Sequence, residues 1–222
     1  MATGQTDGTL SMMRGLYLIT PDRRDGPTVL GRAVEAALRG GAQLVQYRDK
    51  STNTARRLAE AQALKALCTR FNVPLLINDD VDLADAVSAD GVHLGQDDVT
   101  VATARAVLGP DSLIGVTCHD RIDLAQRAAE QGADYIAFGS FFASPSKPEA
   151  IQAPRSLMRK ARRSLALPIV AIGGISPENG ASLVRDGADM LAVISAVFAA
   201  ADISAAARSF ADCFTPIEET DR

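Results

Sequence analysis

Tryptophan is missing from this chain, and aromatic side chains supply only 5% of its 222 positions. Platforms for stacking nucleic-acid bases are therefore scarce. A basic field does not replace them: the formal charge is -4 and the pI about 5.2, so any anionic partner must be held by a local pocket. Nucleic acid is disfavoured as a partner. The three cysteines, Cys68, Cys118 and Cys213, lie far apart and form no CxxC pair, which argues against a disulfide framework and against a zinc site. Such usage fits a reducing cytoplasm. No segment approaches the roughly 18 apolar residues of a membrane span. Residues 1–14 carry Gly, Thr, Ser and Gln where a secretory signal would be apolar, and read as a loose tail with Met12 or Met13 as an alternative start. A second short tail is expected at 215–222.

What the chain does have is a 47% hydrophobic content and a regular alternation of short apolar runs with helical spacings. Strands are expected at 15–20, 42–48, 74–77, 91–94, 112–117, 134–138, 168–172 and 189–194. Helices are expected at 29–39, 54–71, 83–87, 101–108, 122–131, 154–165 and 177–185, with a helical C-terminal portion. Thr54 is a candidate N-cap. Glycine or a small residue recurs between helix end and strand, at 41–42, 89–91, 132–134 and 187–189, as suits a helix C′ position. Eight strand and helix units in about 200 residues favour one closed (βα)₈ TIM barrel over an open doubly wound sheet. The single domain then spans 15–214.

In such a barrel the active site lies at the C-terminal ends of the strands, so the polar residues there line one pocket. On the second strand the period of two puts Gln46, Arg48 and Lys50 on one face and Tyr47 and Asp49 on the other. A solvated edge strand is the bland alternative, but the residues before it are too apolar for an edge, and an anion site is favoured. The third strand contributes Asn78 and Asp79, the fourth leads to Asp98, and the fifth ends at Thr117. The irregular stretch 139–150, with its apolar Phe141 and Phe142, offers Ser144, Ser146 and Lys147. The seventh strand runs into Gly173 and Gly174, and Ser195 follows the eighth. Neighbouring strands lie roughly 4.8 Å apart, so carboxylates past the third and fourth reach one hard cation, Mg²⁺ being the natural choice. Asp79 and Asp98 are assigned to the metal, Asp80 and Asp97 to helix caps. Gly173, Gly174 and Ser195 stand where many barrels hold a phosphate.

Cys118 and His119 are adjacent and point to opposite faces if both are on a strand, which disfavours a joint nucleophile and base. His93 reads as a packed residue. The basic residues of 154–165 (Arg155, Arg159, Lys160, Arg162, Arg163) read as a solvated helix face.

Taken together, the motifs at 46–50, 77–80, 91–98 (GVHLGQDD), 115–119, 139–148, 172–175 and 193–196 resemble the thiamine-phosphate synthase family. The resemblance implies a Mg²⁺-dependent transferase of thiamine biosynthesis. It joins a hydroxymethylpyrimidine diphosphate to a hydroxyethylthiazole phosphate, releases diphosphate, and passes through a pyrimidine-stabilised cation. It implies that Gln46, Arg48, Lys50, Asn78, Thr117 and Lys147 hold the pyrimidine substrate, with Arg48, Lys50, Thr117 and Lys147 catalytic. Asp79 and Asp98 bind Mg²⁺, and Ser144, Ser146, Gly174, Ile194 and Ser195 receive the thiazole phosphate. Thr117 replaces the usual Ser, Ser144 and Ser146 replace common Thr residues, and all three keep the hydroxyl. Glu149 lies near a position often held by Asp, and its role is open. A thiazole tautomerase-like paralogue should lack the full metal and diphosphate set, and a non-catalytic barrel that binds a phosphorylated metabolite is a second alternative. Small molecules are the expected partners, and the sequence leaves homo-oligomerisation open.

Overall fold

Apolar alternation is why the strands sort into a barrel. In the computed structural model, which describes residues 13–22, 26–143 and 152–215, every strand sends one set of side chains into the lumen and the other against the helices. The strands are β1 (Gly15–Ile19), β2 (Ala42–Tyr47), β3 (Leu75–Asn78), β4 (Gly91–Leu94), β5 (Leu113–Thr117), β6 (Tyr135–Phe138), β7 (Ile169–Ile172) and β8 (Met190–Val193). They pair in parallel in sequence order, and β1 closes on β8 through Leu16 opposite Leu191 and Leu18 opposite Val193. The expected eight-stranded barrel is therefore what forms.

The helices are α1 (Pro27–Arg39), α2 (Thr54–Phe71), α3 (Val81–Ala86), α4 (Val101–Leu108), α5 (Ile122–Glu130), α6 (Ser156–Ser164), α7 (Pro177–Arg185), α8 (Ser195–Phe198) and α9 (Ile203–Asp212). None is long and apolar enough to cross a membrane. Two of the expected caps belong to other residues. Asn53, not Thr54, caps α2 by accepting from Arg56 N–H at 3.0 Å, because an amide oxygen one residue earlier reaches the donors of the first turn. Thr100, not Asp97, caps α4; Asp97 falls within the turn that precedes it. Asp80 does cap α3, accepting from Leu83 N–H at 2.9 Å. Met13, expected in the tail, is buried in the lumen with Tyr17, Leu44 and Met190.

The lumen and the outer layer are two separate apolar clusters. The outer one fills the space between strands and helices and includes Phe138, Phe141, Met158 and Phe210. Phe141 thus serves packing. The basic face of α6 is partly engaged: Arg159 reaches Asp186 at 2.7 Å and Arg162 reaches Asp189 at 3.1 Å.

The recurring small-residue junctions hide an acidic latch. Asp90, Asp134 and Asp189, each just before a strand, accept from an N–H at the start of the neighbouring strand (Leu75 2.8 Å, Ile114 2.7 Å, Ile169 2.7 Å). Each also pairs with a cation from a helix, Lys65 at 2.7 Å, Arg105 at 2.8 Å and Arg162 at 3.1 Å. One carboxylate thereby ties helix, strand and next strand at the N-terminal end of the barrel. In the third unit the left-handed turn residue is Ser88 (φ 50), not the glycine of the motif.

Removing Asp134 leaves the Ile114 N–H without its side-chain acceptor and takes the carboxylate from Arg105, which keeps the Pro110, Ser112 and Gly132 carbonyls. Asp134→Ala should therefore cost about 2 kcal/mol, typical of hydrogen bonds to charged groups. In a chain of this size that lowers Tm by about 4–8 °C in thermal unfolding. Asp123→Ala, at the exposed Arg121 pair, should leave Tm nearly unchanged. Equal shifts for the two would reject the latch.

Candidate active site

Strand β2 delivers the site in the alternation expected of it. Gln46 turns into the lumen and is buried, its Nε2 donating to Tyr17 Oη at 2.6 Å. Tyr47 turns outward and donates to Glu60 Oε2 of α2 at 2.7 Å. Asp49, on the same side, accepts from Ser51 N–H at 2.7 Å and from Arg56 at 2.6 Å, so the β2–α2 loop is pinned from behind.

Its cations face the mouth. Arg48 N–H donates to Thr20 Oγ1 at 2.8 Å, and its guanidinium reaches Asp22 Oδ2 at 2.5 Å. Asp22 Oδ1 also accepts from Lys50 N–H at 2.9 Å, so one carboxylate after β1 braces both ends of the cationic turn. Neither Thr20 nor Asp22 is expected in the site: Thr20 reads as the end of the first strand, which in the structure stops at Ile19, and Asp22 follows in a stretch with no motif of its own. Lys50 Nζ pairs with Asp79 Oδ2.

Asp79 lies just past β3 in the left-handed region (φ 62), its N–H bonded to the His93 carbonyl at 2.9 Å. Asp, with its short polar side chain, is among the few residues that tolerate this backbone. Asp98 accepts from Gly95 N–H at 2.7 Å and stands against Asp79. Partial burial and the neighbouring Asp79 carboxylate raise its pKa, while Gly95 N–H and Lys50 oppose the rise. The two carboxylates from adjacent strand ends meet at one rim, as their spacing in sequence requires. A polar pocket of about 260 Å³ opens beside them, lined by Asp49, Lys50, Ser51, Arg57, Asn78, Asp79 and Asp80. Arg57, a lining residue the sequence does not single out, is held by Asp80 at 2.7 Å.

Thr117 ends β5, its hydroxyl 2.7 Å from His93 Nε2 and its carbonyl accepting from Gln96 at 2.6 Å. His93 is buried in the lumen, and that burial pushes its pKa down to about 4, against the pull of Asp98. It is a packed, neutral imidazole. On the far side, Gly173 (φ 99) and Gly174 (φ 61) have backbone that glycine adopts freely, and a Cβ at Gly174 would strike the Ala143 and Phe142 carbonyls at 2.3 and 2.7 Å. Ile194 precedes α8, whose first residue is Ser195. Ser144, Ser146, Lys147 and Glu149 lie outside the described residues.

A family model for thiamine monophosphate synthase matches residues 16–197. The chain belongs to that family. Among relatives, the thiamine-phosphate synthase of Thioalkalivibrio sulfidiphilus (strain HL-EbGR7) is 52% identical over 202 residues, covering 91% of this chain and 96% of the relative. That of Azoarcus sp. (strain BH72) is 55% identical over 190 residues, covering 86% and 92%. Among solved structures, a thiamine phosphate pyrophosphorylase from Pyrococcus furiosus superposes with a TM-score of 0.81 at 33% identity, covering 92% of this chain and 96% of that one. As a member of the family, the chain is a transferase of thiamine biosynthesis.

Covalent catalysis through Cys118 does not suit this geometry. β5 ends before it, its thiol is buried with Sγ 3.7 Å from the Val116 carbonyl, and burial pushes its pKa up to about 12. His119 is exposed with φ 51, off the strand altogether. Alkylation of the folded chain at neutral pH should leave Cys118 and Cys68 unlabelled by peptide mass mapping, and both should react in denaturant. Rapid labelling of Cys118 in the folded chain would restore it as a candidate nucleophile.

Proposed function

We propose that this chain joins 4-amino-2-methyl-5-hydroxymethylpyrimidine diphosphate to hydroxyethylthiazole phosphate, giving thiamine phosphate and diphosphate. The observation that carries the reading is the rim where Lys50, Asp79 and Asp98 meet beside the Asn78 pocket, in a chain whose relatives bear the name thiamine-phosphate synthase. The residues fit Mg²⁺. Asp79 and Asp98 stand against one another with Lys50 paired to Asp79, and partial burial together with the Asp79 carboxylate makes Asp98 hold its proton more tightly. Among the described residues no third His, Cys, Asp or Glu joins them. That suits an ion which is usually bound by one or two carboxylates plus substrate phosphates. When bound, the ion neutralises charge developing on the departing diphosphate.

The side chains do the rest. Arg48 exchanges Asp22, and Lys50 exchanges Asp79, for diphosphate oxygens, so each cation moves from an internal carboxylate to the leaving group. Gln46, Asn78 and Thr117 orient the pyrimidine. The C–O bond breaks with its electron pair leaving on diphosphate, the aminopyrimidine spreads the positive charge, and the thiazole nitrogen captures the methylene carbon. This dissociative order asks for stabilised charge and excluded water, and for no protein nucleophile. Lys147 adds a cation to the leaving group. Gly174, Ile194 and Ser195 seat the thiazole phosphate, where the Gly173–Gly174 turn lets backbone approach, and Ser144 and Ser146 are assigned to the same phosphate.

Mixing the protein with both substrates and Mg²⁺ should yield thiamine phosphate, read as fluorescent thiochrome. Asp98→Ala should lower metal-dependent turnover by about 10²–10³, the range for one electrostatic group at a transition state, while thiazole phosphate binding stays nearly intact. No product with or without metal, together with retained thiazole phosphate binding, would favour the phosphate-binding barrel. Equal loss of turnover and thiazole phosphate binding in Asp98→Ala would reject the division of the pocket.

A further inference from the structure

Four hydrogen bonds join five side chains across the lumen beneath the site. Gln46 Nε2 lies 2.6 Å from Tyr17 Oη, Tyr17 Oη 2.9 Å from Tyr135 Oη, Tyr135 Oη 2.8 Å from His93 Nδ1, and His93 Nε2 2.7 Å from Thr117 Oγ1. The rings are in mutual contact, His93 stacked on Tyr135 with centroids 5.6 Å apart and Tyr17 edge-on to both. The sequence makes room for this: a Cβ on Gly115, in the middle of β5, would lie 1.9 Å from Tyr135 Cζ. Interior strand glycine often marks such a close approach.

A phenol has one proton and a neutral imidazole one N–H, so each bond in the chain sets the direction of the next. Gln46 donates an N–H to Tyr17. Leaving no buried proton without an acceptor then requires Tyr17 to donate to Tyr135, Tyr135 to His93 Nδ1, and His93 through Nε2–H to Thr117. At the two ends, Gln46 keeps its carbonyl oxygen as an acceptor, and Thr117 keeps its hydroxyl proton to donate. Reversing the amide would reverse every bond, and Thr117 would spend its proton on His93.

We propose that Tyr17, Tyr135 and His93 are positioning residues, a one-way hydrogen-bond relay that fixes His93 as the Nε2–H tautomer and presents Gln46 as acceptor and Thr117 as donor to the pyrimidine. The proposal rests on the reading of Gln46 and Thr117 as pyrimidine contacts. None of the three relay residues needs to touch substrate. A chain that merely satisfied buried polar groups would serve equally well in either direction.

With only two histidines in the chain, ¹⁵N spectra of the labelled imidazoles contain two spin systems, and a His93→Gln sample assigns them. The free wild-type protein should show His93 protonated at Nε2 alone; protonation at Nδ1 overturns the relay whether or not the chain makes thiamine phosphate. In Tyr135→Phe, His93 Nδ1 loses its donor, so the spectrum should show mixed tautomers. KM for the pyrimidine diphosphate should rise about tenfold, the effect of about one hydrogen bond, with KM for thiazole phosphate unchanged. In Tyr17→Phe, which keeps the Tyr135 donor, the tautomer should hold while the pyrimidine KM still rises, so a Tyr135→Phe variant that fails to fold does not remove the test. Unchanged KM values in the folded variants, or equal rises for both substrates, overturn the proposal.

Discussion

Two carboxylates held against one another, Asp79 and Asp98, are the constraint on which the mouth of this barrel depends. Parallel pairing of β3 with β4 brings their ends together, and the left-handed turn at Asp79 and the Gly95 N–H aim the acids at one rim. Partial burial first, and the Asp79 carboxylate beside it second, push Asp98 toward its protonated form. Lys50 relieves part of the repulsion, and under the proposed function a divalent cation and the substrate diphosphate would relieve the rest.

A second pattern runs through the rim: its cations are already paired. Arg48 rests on Asp22 and Lys50 on Asp79, so under the proposed function substrate binding is an exchange of partners. Beneath, the lumen carries polar groups in a core that is otherwise apolar, and all five side chains of the relay are joined by hydrogen bonds. Buried networks of this kind are rigid when complete and costly when broken, so the floor of the site is stiff where its rim is exchangeable.

Much of this was legible in the residues. Short apolar runs bounded by glycine and acid fix strands to within about two positions, the usual uncertainty of helix and strand ends. From Leu44 onward β2 reads correctly by simple alternation, past the irregularity in its pairing with β1 between Leu16 and Tyr17. Strand-end acids past β3 and β4 are close because consecutive strands are neighbours in an in-order barrel. What escaped is what depends on partners distant in sequence. Tyr17 and Tyr135 are 118 residues apart and each looks like an ordinary buried aromatic. Asp22 looks like a turn residue, and Asp134 is overshadowed by Gly132 two residues before it. The caps at Asn53 and Thr100 were missed because several polar neighbours could each fill the role, and only the local backbone chooses between them.

The most direct test of the carboxylate rim is anomalous diffraction from crystals soaked with Mn²⁺ and inorganic diphosphate. A single manganese peak between the Asp79 and Asp98 carboxylates is expected, with Lys50 turned from Asp79 onto a phosphate oxygen. A peak elsewhere, or diphosphate bound while Lys50 stays on Asp79 and no metal lies between the acids, would contradict the account.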